Sequence, residues 1–365
     1  MKANIMKFGS VAIISLYLRG LAALAVCALP ILNATPVNAQ AILENEDVQF
    51  RGLRTRVHFA WQKREFEKLE AWAAEFRTTN RRNSAASFLL PVFYDGFKEI
   101  LVSTPVERAE QLWTAARNEW IAKFPNSPTP HIAHTYFLES LAWKARGGEY
   151  AYKVFPEAMA EYLKRLNEAD HYLADNSAVA SAEPSYELIR AVNQFQLKGD
   201  HRALLRGLDE GLRKHPGWLP YYYAGIRFLK QNWGGTPQLY WAWIDKALDA
   251  SVQSDGTGIL ARMYNQSHGG PSNFADIENS GPLWPRMKQS IADSLERFPH
   301  WSNAKNYLYM ACKARDAEVV TNLLAILVRN SQGASSPDID AAKYCRWQSP
   351  GPQALPAPPK KDQRL

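Results

Sequence analysis

The sequence predicts an all-α fold made of an irregular array of helical hairpins. Apolar residues recur at spacings of three and four along most of the 365-residue chain, and the alternation typical of strands is almost absent. Three predicted helices also end in related segments, at residues 120–125 (WIAKFP), 211–216 (GLRKHP) and 294–299 (SLERFP). Because proline cannot continue a helix, each of these segments indicates a turn into the next unit.

The amino terminus predicts a Sec-type signal peptide. Two lysines precede the apolar run LAALAVCALPIL, and Ala39 and Ala41 supply the small side chains that signal peptidase requires. An uncleaved anchor and a lipoprotein are the alternatives, but Arg19 interrupts the apolar stretch and a bulky valine precedes Cys27. We therefore expect cleavage after Ala41, export to the periplasm or beyond, and no membrane span in the mature chain.

The mature chain divides into a helical domain and a carboxyl-terminal tail. After the signal peptide at residues 1–41, helical patterns continue over residues 42–330, with a loop rich in Gly, Pro, Ser and Asn at residues 268–283. Residues 331–365 lose the pattern and finish in the segment PGPQALPAPPKKDQRL. We expect this tail to be largely disordered.

Start signals place the helices within the domain. Apolar stripes predict helices over residues 44–62, 65–77 and 87–102. Thr104, Pro105 and Glu107 then have the spacing of a capping box, with proline at the first helical position. The same Thr-Pro start recurs at Thr129 and at Thr236, and the helix that opens at Thr129 is expected to run to residue 146.

The clearest hairpin lies at residues 185–216. Gly199 and Asp200 form its turn, with Asp200 as the amino-terminal cap of the second helix. In that helix Gly211 carries no side chain and permits a close approach of its neighbours. In length, in small-residue placement and in its terminal proline this unit resembles a tetratricopeptide repeat. The other hairpins are looser and their spacing varies, so we expect an irregular tetratricopeptide-like array.

A longer resemblance covers residues 66 to about 326. The segments that carry it, in order along the chain, are FEKLE (66–70), AWKARGG (142–148), NWGG (232–235), GILARMY (258–264), WPRMK (284–288) and ACKARD (311–316). In this order they resemble the bacterial domain-of-unknown-function family numbered four thousand and thirty-four. The resemblance implies helical repeats and no established activity.

No cofactor or metal pattern emerges from the sequence. The net charge is +7, but no basic stripe interleaved with stacking aromatic residues predicts nucleic-acid binding. His131 and His134 have the spacing of two ligands on one helical face, yet no acid lies between them and no third ligand follows. The glycine pairs lack the lysine and hydroxyl residue of a phosphate loop, and no serine has the surroundings of a nucleophile.

Aromatic residues supply the candidate binding surface. They cluster in the segments WLPYYY (218–223) and LYWAW (239–243), and consecutive residues cannot share one helical face. Tyr, Trp and Arg also dominate binding hot spots. The candidates are therefore Trp143, Arg146, Tyr221, Tyr222 and Trp241. The alternative is that most of these rings pack between helices.

Two cysteines remain once the signal peptide is removed. They are Cys312, in a predicted helix, and Cys345, in the tail. In an oxidising compartment two such residues can form a disulfide that ties the tail to the helix. The alternative is two separate thiols, with Cys312 buried.

These observations predict an exported binding or scaffold protein without enzymatic activity. A helical array leaves one long face free, which would hold a protein segment or another cell-envelope component. The alternative is a hydrolase of an envelope polymer, whose two facing carboxylates cannot be recognised in one dimension. A structural role through self-association is a third reading, and the oligomeric state is left open.

Overall fold

The computed structural model of the chain describes residues 46–268, 283–330 and 345. These residues confirm the all-α prediction, because they form helices throughout and contain no strand beyond an isolated bridge between Arg82 and Phe88. The predicted signal peptide, most of the predicted loop at 268–283, and the tail apart from Cys345 lie outside the described residues. No helix among the described residues is both long enough and apolar enough to cross a membrane.

The helices follow one another with short connections. In chain order they are α1 (Glu46–Gln62), α2 (Phe66–Thr79), α3 (Leu89–Asp95), α4 (Ile100–Ser103), α5 (Val106–Lys123), α6 (Thr129–Arg146), α7 (Pro156–Asp175), α8 (Ser177–Ala180), α9 (Pro184–Lys198), α10 (His201–Lys214), α11 (Pro220–Phe228), α12 (Pro237–Asp255), α13 (Ile259–His268), α14 (Leu283–Arg297), α15 (Trp301–Lys313) and α16 (Ala317–Asn330). Short 3-10 helices occur at Gly96–Glu99, Ala151–Lys153, Gln231–Trp233 and Gly256–Gly258.

The helices form two layers. Helices α6, α9, α11, α13 and α15 form an inner layer that, together with α3 and α4, surrounds one cleft. Each of these five inner helices packs against the outer helix that follows it, namely α7, α10, α12, α14 and α16. The outer helices are amphipathic: in α10 the buried residues are Leu204, Leu208 and Gly211, which lie on one stripe. This layering places the side chains of the inner helices where they can contact a ligand.

Two predicted helix caps are present and one is wrong. The Asp200 carboxylate accepts hydrogen bonds from the amides of residues 202 and 203, and the Thr236 hydroxyl accepts one from residue 239. The predicted capping box at Thr104 does not form, because α5 begins at Val106 and its capping residue is Pro105. Pro105 is extended, with ψ 146°, so the Thr104 hydroxyl lies one residue too early to reach the free amides.

The predicted helix over residues 87–102 is divided into three pieces. Between α3 and α4 the backbone tightens into the 3-10 helix Gly96–Glu99, which packs against α1. A Cβ atom on Gly96 would lie only 2.7 Å from the Cβ of Val57. The close contact between the two backbones therefore requires glycine at this position.

The core is rich in stacked aromatic rings. Trp113 is fully buried, and its ring stacks on Trp61 at a centroid distance of 5.1 Å and on Phe137 at 4.8 Å. Trp120 is buried in the same way against Phe66. For these residues the tryptophan content reflects packing between helices.

Long-range polar contacts close the array around the cleft. Asp255, at the end of α12, is almost fully buried and pairs with Arg82 at 2.9 Å and with Arg262 at 2.5 Å. Arg262 also donates a hydrogen bond to the carbonyl of Ala86. The loop between α2 and α3 is thus held against helices near the other end of the domain.

A disulfide joins Cys312 of α15 to Cys345, with a Cα–Cα distance of 5.0 Å. Both residues are buried in the hydrophobic core. Of the two alternatives that the sequence leaves open, the structure therefore contains the pairing, which ties residue 345 to the inner layer.

Candidate functional site

The inner helices surround a cleft of about 1060 Å³. Its walls come from helices near both ends of the chain, and they combine aromatic, amide and charged side chains. The polar and aromatic residues that line it are Ser87, Phe88, Asp95, Lys98, Tyr136, Glu139, Ser140, Trp143, Lys144, Gln196, Tyr223, Arg227, Phe228, Arg262, Asn265, Gln266, Asn303, Asn306 and Tyr307. A concave site of this size with a few convergent polar groups is the usual form of a ligand site.

Two carboxyl groups lie on one wall of this cleft. Asp95 of α3 pairs with Lys98 at 2.6 Å, and the Lys98 ammonium group lies 4.9 Å from the ring centre of Tyr136. Glu139, one turn further along α6, has no ion-pair partner among the described residues. Burial raises the pKa of Glu139 to about 7, against the opposing effect of the Lys98 charge. Glu139 therefore exchanges its proton near neutral pH.

An aromatic and cationic group forms the adjacent part of the wall. Trp143 is half-buried, and its ring packs edge-on against Tyr162 at a centroid distance of 5.2 Å. The guanidinium carbon of Arg146 lies 5.2 Å from the Trp143 ring centre, and that of Arg227 lies 6.0 Å from it. Arg227 forms no ion pair with any described residue, so its charge is available to a ligand.

Helices α11, α13 and α15 add amide groups and a buried hydroxyl to the lining. Asn265 of α13 and Asn306 of α15 make no side-chain hydrogen bond within the part of the chain that the structure describes, whereas Asn303 donates to the carbonyl of residue 298. The Tyr223 hydroxyl is buried and also lacks a hydrogen-bond partner among the described residues. Buried polar atoms of this kind usually have a partner, so a ligand or water in the cleft would satisfy this hydroxyl.

The structure brings only part of the predicted binding surface to this site. Trp143 lines the cleft and Arg146 contacts its ring, as described above. Trp241 lies on the outer helix α12, half-buried, with its ring 5.4 Å from that of Tyr240. Trp241 does not line the cleft.

The expectation that Tyr221 and Tyr222 lie on the surface is wrong. Both are buried: the Tyr221 hydroxyl donates to the carbonyl of Pro184 at 2.6 Å, and the Tyr222 ring packs against Trp243 at 5.4 Å. The reason is that α11 is an inner helix with α10, α12 and α13 packed around it, so several of its faces are covered. The third tyrosine, Tyr223, lines the cleft instead.

The two histidines of α6 contact neighbouring side chains. The Trp113 indole donates a hydrogen bond to His134 at 2.7 Å, and the Nδ1 atom of His131 lies 2.9 Å from the Tyr172 hydroxyl. Burial, with the charges of Arg117 and His131, lowers the pKa of His134 to about 3, so this ring is neutral. Among the described residues no group of three His, Cys, Asp or Glu side chains is placed to hold a metal ion.

Helical spacing in the sequence indicates several residues of the cleft that were not among the predicted binding residues. Tyr136, Glu139 and Trp143 recur at spacings of three and four, which places them on one face of α6. Asp95 and Lys98 have the same spacing across the end of α3. These patterns identify faces of helices, but they do not show that the two faces meet.

No family model, no curated protein and no solved structure matches the chain. The resemblance to the family of unknown function stays a prediction.

Proposed function

We propose that the chain is an exported, tetratricopeptide-like binding protein that holds its partner in the inner cleft. The observation that carries this proposal is the convergence of five inner helices on one cleft whose walls contain polar groups without partners among the described residues. Asn265, Asn306, the Tyr223 hydroxyl and the Arg227 guanidinium group are such groups. Because the fold holds these groups at one site, the cleft is preorganised to bind a polar ligand.

A protein segment is the partner that this lining favours. The amide groups of Asn265 and Asn306 offer both a donor and an acceptor, which match the N–H and C=O groups of an extended backbone. Trp143 offers a half-buried ring for an apolar side chain, and Arg227 offers a cation for a carboxylate. Another component of the cell envelope with amide and carboxylate groups would use the same contacts.

Affinity capture from envelope extract with the tagged protein, after mild cross-linking, tests this proposal. The Asn265→Ala/Asn306→Ala variant removes two unused amide groups from the cleft, and we expect it to recover about tenfold less partner than the wild type. The matched control is Asn167→Ala/Gln238→Ala, which removes two exposed amide groups from α7 and α12. Equal recovery by the cleft variant and the control would contradict the proposal.

A hydrolase of an envelope polymer is the second candidate, and the carboxyl groups of Asp95 and Glu139 favour it. A carboxyl group with a pKa of about 7 can donate a proton to a leaving oxygen at neutral pH, while an ionised neighbour takes a proton from the attacking water. Glu139 would be the acid and Asp95 the base. Both carboxyl groups line the cleft, where a bound polymer would meet them.

Release of soluble fragments from purified envelope polymers separates the two candidates. If the chain is a hydrolase, the wild type releases fragments and Glu139→Gln and Asp95→Asn each lower the rate by about a hundredfold or more. Both variants should still bind the polymer. A wild type that releases nothing, while it captures a partner through the cleft, leaves the binding function alone.

A further inference from the structure

The loop that joins α6 to α7 exposes three aromatic side chains. We call residues 147–155 the aromatic loop. Tyr150 is 69% exposed, Tyr152 is 81% exposed and Phe155 is 77% exposed. The rings of Tyr150 and Tyr152 lie nearly parallel, with centroids 5.9 Å apart and planes 16° apart. The loop thus presents an ordered aromatic surface to its surroundings.

The exposed apolar surface extends to the end of α4. Val102 is 80% exposed. Its neighbour in sequence, Leu101, accepts a hydrogen bond at its carbonyl from the side chain of Lys144 in α6, at 2.8 Å. This contact places Val102 near the end of α6 from which the aromatic loop starts. Contiguous apolar side chains with such high exposure mark a surface that binds another body.

Cations without carboxylate partners lie in the aromatic loop and at the end of α6 that leads into it. Lys144, Arg146 and Lys153 form no ion pair within the described residues. Arg146 donates instead to the carbonyls of Gly147 and Glu149, at 3.1 and 3.0 Å, and the Lys153 ammonium group lies 5.8 Å from the Tyr152 ring centre.

The acids of the same segment are Glu149 and Glu157, and Arg227 adds a further cation through its contact with Trp143. Residues 144–157 by themselves carry three cations and two carboxylates, a net charge of +1.

We propose that the aromatic loop and the cations Lys144, Arg146 and Lys153 dock the protein on an anionic phospholipid surface. Tyrosine and phenylalanine rings partition into the interface between headgroups and acyl chains, and lysine and arginine reach the lipid phosphates. Each cation near an anionic membrane surface contributes about 1 kcal/mol, so the two kinds of contact together give reversible attachment.

The shape of the surface favours lipid over a protein segment. No residue of the aromatic loop lines the inner cleft. The rings project from the protein with about seven-tenths or more of their surface exposed, which suits insertion between lipid headgroups. A peptide partner instead requires a groove or a strand edge to satisfy its backbone. Val102 and Lys144 also line the cleft, so the docked protein would hold the cleft beside the lipid surface. Docking itself does not require a partner in the cleft.

Co-sedimentation with lipid vesicles tests the proposal. The protein is purified from the exported fraction, and its amino terminus is determined by mass spectrometry. We expect it to bind vesicles of phosphatidylethanolamine and phosphatidylglycerol, and to bind phosphatidylcholine vesicles about tenfold or more less tightly. The variant Tyr150→Ser/Tyr152→Ser/Phe155→Ser should lose about tenfold or more of the binding to the anionic vesicles.

Two further variants complete the test. Lys144→Gln/Arg146→Gln/Lys153→Gln should reduce binding to anionic vesicles to the level of phosphatidylcholine vesicles. The matched control, Phe59→Ser/Val252→Ser, removes two side chains that are 53% and 58% exposed on α1 and α12, and it should bind like the wild type.

Several outcomes would overturn the proposal: no binding by the wild type, equal binding by the loop variant, or self-association that disappears in the loop variant without lipid. The last result would assign the surface to a second copy of the chain.

Discussion

At the scale of single residues, glycines determine how closely the helices of neighbouring hairpins pack. A Cβ atom on Gly211 of α10 would overlap the ring of Tyr221, and one on Gly225 of α11 would overlap the indole of Trp243. Both rings are buried and both are held by a hydrogen bond to a backbone carbonyl, so neither can move aside without breaking that bond. The absence of a side chain is therefore part of the packing.

We expect Gly211→Ala to lower the free energy of unfolding by about 1 to 3 kcal/mol, because the methyl group overpacks the contact with Tyr221. The overlap with three atoms of the Tyr221 side chain places the cost at the upper end of this range, so it exceeds the gain of about 1 kcal/mol from the higher helix propensity of alanine. Urea denaturation measures the net change in the free energy of unfolding. The control is Gly148→Ala, where no atom lies within 4 Å of the new methyl group, and its effect should stay within about 0.5 kcal/mol. Equal stability of Gly211→Ala and the wild type would show that the contact is loose.

Glu139 is a second residue whose surroundings have a measurable consequence. Burial raises its pKa from the ordinary 4.5 to about 7, so the folded state binds the proton more tightly than the unfolded chain does. The resulting stabilisation is complete below pH 4.5 and is lost as the pH rises through 7.

The Glu139→Gln variant should therefore gain stability relative to the wild type as the pH rises. Between about pH 5 and about pH 8 we expect the difference in unfolding free energy to increase by about 1 to 3 kcal/mol. Urea denaturation at several pH values measures it, and Glu296→Gln, which changes an exposed glutamate on α14, serves as the control. A difference that is constant over this range would mean that Glu139 is ionised throughout.

At the scale of helices, the position of a hydroxyl relative to the following proline decides whether it acts as a cap. Thr236 and Thr104 both precede a proline in sequence. In α12 the proline is the first helical residue and the Thr236 hydroxyl reaches an amide, but in α5 the proline is itself the capping residue. The same dipeptide thus has two structural roles.

These two roles predict different costs for the same substitution. Thr236→Ala should lower the free energy of unfolding by about 1 kcal/mol, because an amide at the start of α12 loses its partner. Thr104→Ala should change it by less than about 0.5 kcal/mol, because its hydroxyl caps nothing. Thermal denaturation followed by circular dichroism measures both variants. A loss for Thr104→Ala as large as that for Thr236→Ala would mean that the Thr104 hydroxyl does cap α5.

At the scale of the whole molecule, the buried carboxylate of Asp255 joins distant parts of the chain. Arg82 lies 173 positions away from it in sequence, and Arg262 lies on the wall of the cleft. Removal of the carboxylate would take away the ion-pair partner that the partly buried guanidinium groups of Arg82 and Arg262 share. The cost of such a change is much larger than that of breaking a surface pair.

We expect Asp255→Ala to lower the free energy of unfolding by about 3 to 5 kcal/mol. The matched control is Asp245→Ala, which breaks an exposed pair with Arg286 at 2.9 Å and should cost about 1 kcal/mol or less. Denaturant titration followed by tryptophan fluorescence compares the two. If the costs are equal, the contact of the loop between α2 and α3 with α12 and α13 contributes little to stability.

The amino-acid sequence is sufficient to predict the all-α fold, most helix positions and the turn at Gly199 with its cap at Asp200. It also predicts the close approach of a neighbour at Gly211. These features depend on residues close together in sequence: periodic burial, capping groups and helix-stopping prolines act within one or two turns. The sequence also offered Trp143 and Arg146 as candidates; the structure places Trp143 half-buried at the cleft with Arg146 against its ring, and their role in binding stays a prediction.

The cleft itself depends on contacts between residues far apart in sequence. Asp95 and Glu139 reach one wall because α3 and α6 pack together, and Tyr221 and Tyr222 are buried because three helices surround α11. Helical periodicity shows which residues share a face, but only tertiary packing decides whether that face meets another helix, solvent or the cleft. Burial then follows from packing, and with it the raised pKa of Glu139, because desolvation depends on all the neighbours of the carboxyl group together.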